Sequence, residues 1–159
     1  MRRYAILRAA KLKTTAKLKA VSAHNLRREP VENADEKRAG MNFFARFEKD
    51  GLTWLSGSAE GVADLDAIVE QRVASIEARG GKVRSNAVRA IELILTASPG
   101  VFKEPGFPLS RWVGESMRWV GNEFGLGNIV QAVLHQDEQT PHMHVVVIPE
   151  TMMRETRAL

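Results

Sequence analysis

Residues 129–149 read IVQAVLH, QDEQTP, HMHVVVIP, and this stretch decides the fold. Ile129–His135 and His142–Pro149 are apolar, β-branched runs of strand length, and the polar Gln136–Pro141 between them reads as a loop. A loop that short closes an antiparallel hairpin, so His135 at the end of one strand stands opposite His142 at the start of the next. His142 and His144 are two residues apart and leave the same face of the sheet. The chain has 4 histidines in all, His24 being the other, and three of them converge on one point. A facial three-histidine set suits a metal with open coordination positions, with Asp137 and Glu138 available to complete or orient the shell. The bland alternative, a surface strand beside a satisfied core histidine, accounts for one histidine better than for three.

Working outward from the hairpin, Ala90–Thr96 (AIELILT) is a further strand, stopped by Ser98-Pro99-Gly100. Trp112, Val113, Met117, Val120 and Phe124 line one face of a helix with Ser110 as its expected N-cap and an end near Gly125. Val62, Leu65, Ile68, Val69, Val73 and Ile76 line another, stopped by Gly80-Gly81. Met41–Phe47 reads as a strand followed by an Asp50-Gly51 turn, with Trp54 in a loop-like stretch beyond it. Residues 3–8 read as a first strand. Ala9–Arg28 reads as a basic loop and then a short helix, interrupted at Thr14-Thr15. The expected fold is α+β, a mainly antiparallel sheet of about five strands with helices packed on one face, forming a single domain over residues 1–159.

The composition narrows the chemistry. With 0 cysteines, disulfides, iron–sulfur clusters and thiolate zinc sites are excluded, so a metal must be held by His, Asp or Glu. No apolar run approaches the ~18 residues of a membrane span and no secretory leader is evident, so a cytoplasmic protein without membrane contact is expected. The net charge of +4 is unevenly spread. The first 28 residues hold nine Lys/Arg and no acid, while the rest hold fourteen against all 19 Asp/Glu. A basic head on an acidic body points to a polyanion, nucleic acid first. His24 lies in that head beside Asn25, Arg27 and Arg28.

The string from His135 to Pro149, H-Q-D-E-Q-T-P-H-M-H-x-x-x-x-P, resembles the signature of the Mob/Pre plasmid mobilisation and recombination family, the MobV class of HUH relaxases. His24-Asn25-Leu26-Arg27 matches the family's H-N-x-R motif. Residues 33–42 (NADEKRAGMN) keep the Asn-Ala-Asp, Arg38 and Asn42 of a third family stretch, but have Glu36 where the family has Pro and Gly40 where it has His. The resemblance implies metal-dependent, strand-specific nicking and joining of DNA at a transfer origin, through a covalent 5′-phosphate adduct. Single-stranded or hairpin origin DNA is the implied partner. His135, His142 and His144 would hold the cation, Mn²⁺ or Mg²⁺, with Zn²⁺, Ni²⁺ or Co²⁺ also compatible with imidazole ligands.

Two nucleophiles are open. The family uses the H-N-x-R histidine, here His24, whose attack would give a phosphoramidate. Most HUH relaxases use tyrosine, and Tyr4 is the only one in the chain. Arg27 would clamp the phosphate, and Glu138 would hold a metal-bound histidine, touch the metal or orient His24. Lys11, Lys13, Lys17, Lys19 and Arg28 would contact the DNA backbone, and Arg38 and Asn42 join them as DNA-binding candidates. Two rival readings are a rolling-circle replication initiator acting through Tyr4 and a non-catalytic, metal-containing DNA-binding repressor. Family members usually continue into a long C-terminal region, so an isolated relaxase domain that lacks a dimerising C-terminal part is the expected organisation.

Overall fold

The computed structural model describes residues 2–150. Its elements are β1 (Ala5–Leu12), α1 (Thr15–Asn25), β2 (Phe43–Glu48), β3 (Gly51–Ser56), α2 (Leu65–Ala78), β4 (Ala90–Ala97), α3 (Pro99–Phe102), α4 (Leu109–Phe124), β5 (Ile129–His135) and β6 (His142–Val147). The strands form one antiparallel sheet in the order β1-β4-β6-β5-β2-β3. The α+β, antiparallel architecture is as expected from the sequence. No helix among the described residues is long and apolar enough to cross a membrane.

Two details differ from the expectation, each for a physical reason. The sheet has six strands, because residues 51–56 pair with β2 instead of forming a loop. Gly51 and Gly57, which suggested a loop, bound this short edge strand at φ +147° and +75°. Trp54, expected in a loop, accordingly lies on this strand and packs against the core beneath α4. The helices also cover both faces. Met143, Val145 and Val147 of β6 pack with Met117 and Val120 of α4. Val146, from the same strand, packs with Leu18 and Val21 of α1 and Leu65 and Val69 of α2. Every residue of β5 is buried, and a strand buried on both sides needs cover on both sides.

Boundaries shift modestly. β1 runs on to Leu12, and Thr14, read as an interruption, is the N-cap of α1, its side chain accepting from the Lys17 amide at 3.1 Å. α4 starts at Leu109, so Ser110 lies inside the helix and is not its cap.

The face under α1 and α2 is only half covered. Toward Leu12, Ala90 and Val146 it is core. Toward Ile6, Thr96 and His142 it is open and floors a cavity. Leu65 is fully buried where α2 meets α1. Leu65→Ala is expected to cost about 2–5 kcal/mol, read as a lower urea midpoint at unchanged slope. A loss under 1 kcal/mol would show that the α1–α2 layer collapses to fill the gap.

Candidate active site

The hairpin has the register that the sequence implied. His135 pairs directly with His142, and His144 pairs with Val133 on β5 and Ile94 on β4. The three rings lie with centroids 5.0–5.2 Å apart. α1 lies against this face through Leu18 and Val21, and its last turn carries His24 to within 5.5 Å of His144 and 6.0 Å of His135, ring centre to ring centre.

Hydrogen bonds fix the tautomers. His135 Nε2 lies 2.8 Å from the Asn25 carbonyl, and His142 Nδ1 lies 2.9 Å from the Thr140 carbonyl. A carbonyl only accepts, so both nitrogens carry hydrogen. His144 Nδ1 donates to the Glu92 carboxylate at 2.8 Å. The lone pairs are therefore on His135 Nδ1, His142 Nε2 and His144 Nε2. The first two face each other at 3.4 Å with no proton to share, and Glu138 Oε1 sits 3.7 Å from His142 Nε2. His144 Nε2 is buried and has no hydrogen-bond partner. The facing pair on His135 and His142 repels unless a cation sits beside it, and each of the three imidazoles has the outer acceptor that metal-binding histidines use. These residues fit a divalent ion.

Two trios bring their donor atoms within 4.8 Å of one another, His135 with Glu138 and His142, and His24 with His135 and His144. His24 differs from the others in chemistry. Its side chain is exposed and its ring makes no hydrogen bond to a described residue. Partial desolvation of the ring, then His144 and Arg27, lower its pKa, which favours the neutral imidazole. Burial likewise takes His135 down to about 2.

Asn25 and Glu92 support this arrangement. Asn25 is fully buried, and its Nδ2 donates to Glu92 and to Gln131, each at 3.0 Å. Burial alone would raise the Glu92 carboxyl, but the hydrogen bonds from His144 and Asn25 hold it below the usual range. Glu92 was not singled out from the sequence; its signal was one acid in the middle of the apolar run AIELILT.

Arg27 has φ +54°, the only positive value at a described residue other than glycine. It ends α1 in a left-handed cap, with the Arg28 amide bonded to the Ala23 carbonyl and its own to that of His24. Glycine is the usual residue there, and arginine costs about 1–2 kcal/mol of backbone strain. Its side chain shows why it stands there. Nε and Nη2 donate to the two Asp137 oxygens at 2.9 and 2.8 Å, Nη2 to Glu138 at 2.7 Å, and Nη1 to the His24 carbonyl at 3.0 Å. Burial would raise the Asp137 carboxyl, yet bonds from Arg27 and Asn42 hold it at about 2. The guanidinium is thus a strut between the His24 turn and the 136–141 loop, not a free phosphate clamp as the sequence suggested. Asp137, offered by the sequence for the metal shell, is 2% exposed and anchors that strut.

The DNA-binding candidates divide. Asn42 is 1% exposed, and its amide is committed to Asp137 Oδ2 and to the amides of Gln136 and Asp137, so it is a scaffold residue. Arg38 bonds Asp35 and the Asp137 carbonyl, and Arg28 bonds Val62 and Asp64. Lys11, Lys13, Lys17 and Lys19 are all exposed. Lys11 pairs with Ile91, which packs on the α4 side, so it stands on the face opposite the histidines. Lys17 lies seven residues from His24 on one stripe of α1, about 10.5 Å along the axis, while Lys19 is roughly 140° round the helix. The open cavity of about 660 Å³ over the histidines is lined by His24, His142, His144, Glu138 and also by Arg8. Tyr4 is 53% exposed. It is two residues beyond Ile6, level with Thr96 and His142, and so stands about 12 Å from His142 at the backbone.

A family model described as plasmid recombination enzyme, Mob_Pre, matches residues 1–157. A 65 kDa protein of Zymomonas mobilis is 34% identical over 151 residues, covering 94% of this chain and 24% of that protein. The plasmid recombination enzyme type 2 of Staphylococcus aureus is 30% identical over 151 residues, 92% of this chain and 33% of its own length. The chain thus spans a quarter to a third of these relatives. Among solved structures, a MobM relaxase domain, bound to plasmid oriT DNA in an Mn-bound crystal structure, superposes with TM-score 0.76 at 22% identity, covering 95% of this chain and 73% of that one. At that identity the likeness is one of fold.

Metal-free protein is expected to bind one equivalent of Mn²⁺ in a calorimetric titration, and His144→Ala to abolish it. Glu92→Ala, which removes the acceptor behind His144 together with one of the two acceptors of the Asn25 amide, should weaken binding about 10–100-fold. Unchanged affinity in Glu92→Ala would show that the carboxylate does not orient that ring.

Proposed function

The chain belongs to the Mob/Pre family of plasmid recombination enzymes, and from that membership and the site geometry we propose that it nicks and rejoins one strand of DNA at a plasmid or mobile-element transfer origin, with His24 as nucleophile. Single-stranded or hairpin origin DNA is the substrate, as oriT DNA is the ligand in the MobM structure. The observation that carries the reading is His24 itself. Its ring is exposed at the cavity, unengaged by hydrogen bonds, and 5.5 Å from the His144 ring. The three imidazoles that surround the neighbouring lone pairs are all held from behind, whereas His24 alone is free to meet a substrate.

His135, His142 and His144 would hold the cation, with Glu138 beside them. Mn²⁺ is favoured by the Mn-bound MobM structure, and Mg²⁺ is the other candidate. When bound, the ion would supply charge neutralisation and polarisation at the scissile phosphate. The residues of the chain do the rest. The His24 lone pair attacks phosphorus and forms a P–N bond. The P–O3′ bond breaks with its electron pair on oxygen, which takes up a proton and leaves as a 3′-hydroxyl. The imidazole releases its own N–H proton, leaving a neutral-ring phosphoramidate on the 5′ side. Attack by a returning 3′-hydroxyl reverses each step and rejoins the strand. Arg27 is a positioning residue in this scheme, since it fixes the turn that presents His24 and the acid beside His142. A cytoplasmic setting accompanies a plasmid substrate.

The rolling-circle alternative requires Tyr4 to reach the same phosphate from roughly 12 Å away at the backbone. Single-stranded oligonucleotides tiling the DNA upstream of the gene, incubated with Mn²⁺ and resolved on a denaturing gel, should yield a protein–DNA adduct. The adduct is expected to persist in Tyr4→Phe and vanish in His24→Ala. Loss in Tyr4→Phe alone would transfer the role to the tyrosine. DNA binding by the wild type without cleavage of any tiled oligonucleotide would favour the repressor reading.

A further inference from the structure

The geometry points to Arg8 as a second anionic subsite of the cavity, binding the phosphodiester that adjoins the scissile one, and this rests on the nicking reading above. Three observations lead there. Arg8 pairs with Ile94, and Ile94 pairs with His144, so the three residues form one row across β1, β4 and β6 on a single face. Two strand spacings separate Arg8 from His144, about 9.6 Å at the backbone. A guanidinium carried two strands away from the histidines is placed to meet the phosphate next to the one they face.

Arg8 is also free. It is exposed, it lines the cavity together with His24, His142 and His144, and it makes no hydrogen bond or ion pair with another described residue. The other arginines around the loop, Arg27, Arg28 and Arg38, are all taken up by Asp137, Glu138, Asp64 or Asp35. The bidentate guanidinium fork matches phosphate geometry, and Arg8 carries one at the edge of this cavity that no described residue engages.

The floor between the two charged ends is apolar. It consists of Ile6, Ile94 and Ala97, with Thr96, whose hydroxyl donates to the Pro141 carbonyl at 2.7 Å. The Thr96 hydrogen is thus already committed, and the polar side chains of the cavity, Asn33, Gln139 and Thr140, belong to the loops around this floor and not to the strands. A sugar and base face can lie across it, so the row Arg8–Ile94–His144 is laid out as phosphate, nucleoside, phosphate. The subsite sets the direction in which the strand crosses the sheet, without reading its sequence.

The test uses the full chain with Mn²⁺. Binding of an oligothymidylate is followed by fluorescence anisotropy across a salt series, for wild type, Arg8→Ala and Arg8→Lys. Arg8→Ala is expected to weaken binding roughly tenfold and to reduce the slope of log K against log salt by about 0.7. Arg8→Lys should recover the slope but only part of the affinity, because a lysine lacks the fork. An unchanged slope in Arg8→Ala overturns the subsite, whether or not the protein nicks DNA. A single uncharged methylphosphonate is then walked along the oligonucleotide that the wild type nicks. At the phosphate adjoining the nick it should weaken the wild type and leave Arg8→Ala unaffected. An equal penalty in both proteins would move Arg8 to a remote phosphate and overturn the placement. A reduced slope with no nicking of any tiled oligonucleotide would support the subsite and sink the nicking reading instead.

Discussion

Two lone pairs that face each other across 3.4 Å, on His135 Nδ1 and His142 Nε2, set the terms for the rest of this protein. Such a pair persists only if the opposite nitrogens are prevented from releasing their hydrogens. One is held by the Asn25 carbonyl and the other by the Thr140 carbonyl. Holding Asn25 there requires the end of α1 to be docked on the sheet. The docking is polar as well as apolar. The Asn25 amide joins Glu92 and Gln131, and Ser22, one turn back, accepts the Leu65 amide at the start of α2. One buried network thus orients an imidazole, seats α1 and satisfies an otherwise open helix terminus.

The loop that joins the two histidine strands is fixed from the other side. Asp137 takes both arms of Arg27 and the amide of Asn42, and the Asn42 oxygen in turn accepts the loop amides of Gln136 and Asp137. A lysine in place of Arg27 would carry the charge but not the fork, and could not hold Asp137, Glu138 and the His24 carbonyl together. The left-handed backbone at Arg27 is accepted for the sake of that geometry. His24 is therefore set between a helix pinned by Asn25 and a turn pinned by Arg27, with only its own side chain left free.

How much of this was legible in the sequence depended on whether the signal was local. The hairpin could be read because its loop is short and the histidine spacing obeys the two-residue alternation of a strand. The antiparallel α+β class followed from the same runs. The sixth strand was hidden by flanking glycines that look like a loop. Cover on both faces was hidden because β5 is mostly apolar, its polar Gln131 and His135 being buried too, and shows no alternation. Glu92 lies 52 residues from the histidine it orients, and Asn42 lies 95 from the acid it holds. Neither separation leaves a trace in a window. Charge counting alone does not resolve the basic head into faces. Lys11 stands among the expected DNA contacts and Arg8 does not, although strand alternation sends them to opposite faces and puts Arg8 on that of the histidines.

The distances along the chain have a consequence for how the protein is made. The three imidazoles belong to one local hairpin, which closes early and at small entropic cost. Their orienting groups do not, since Asn25 is 110 residues from His135, and the β1–β4 and β2–β5 pairings that bring them in are long-range and slow. A chain with only the hairpin formed would already offer these imidazoles to a divalent ion, with the rings unaligned. An ion taken up at that stage would stabilise the fold by less than its binding to the finished site implies.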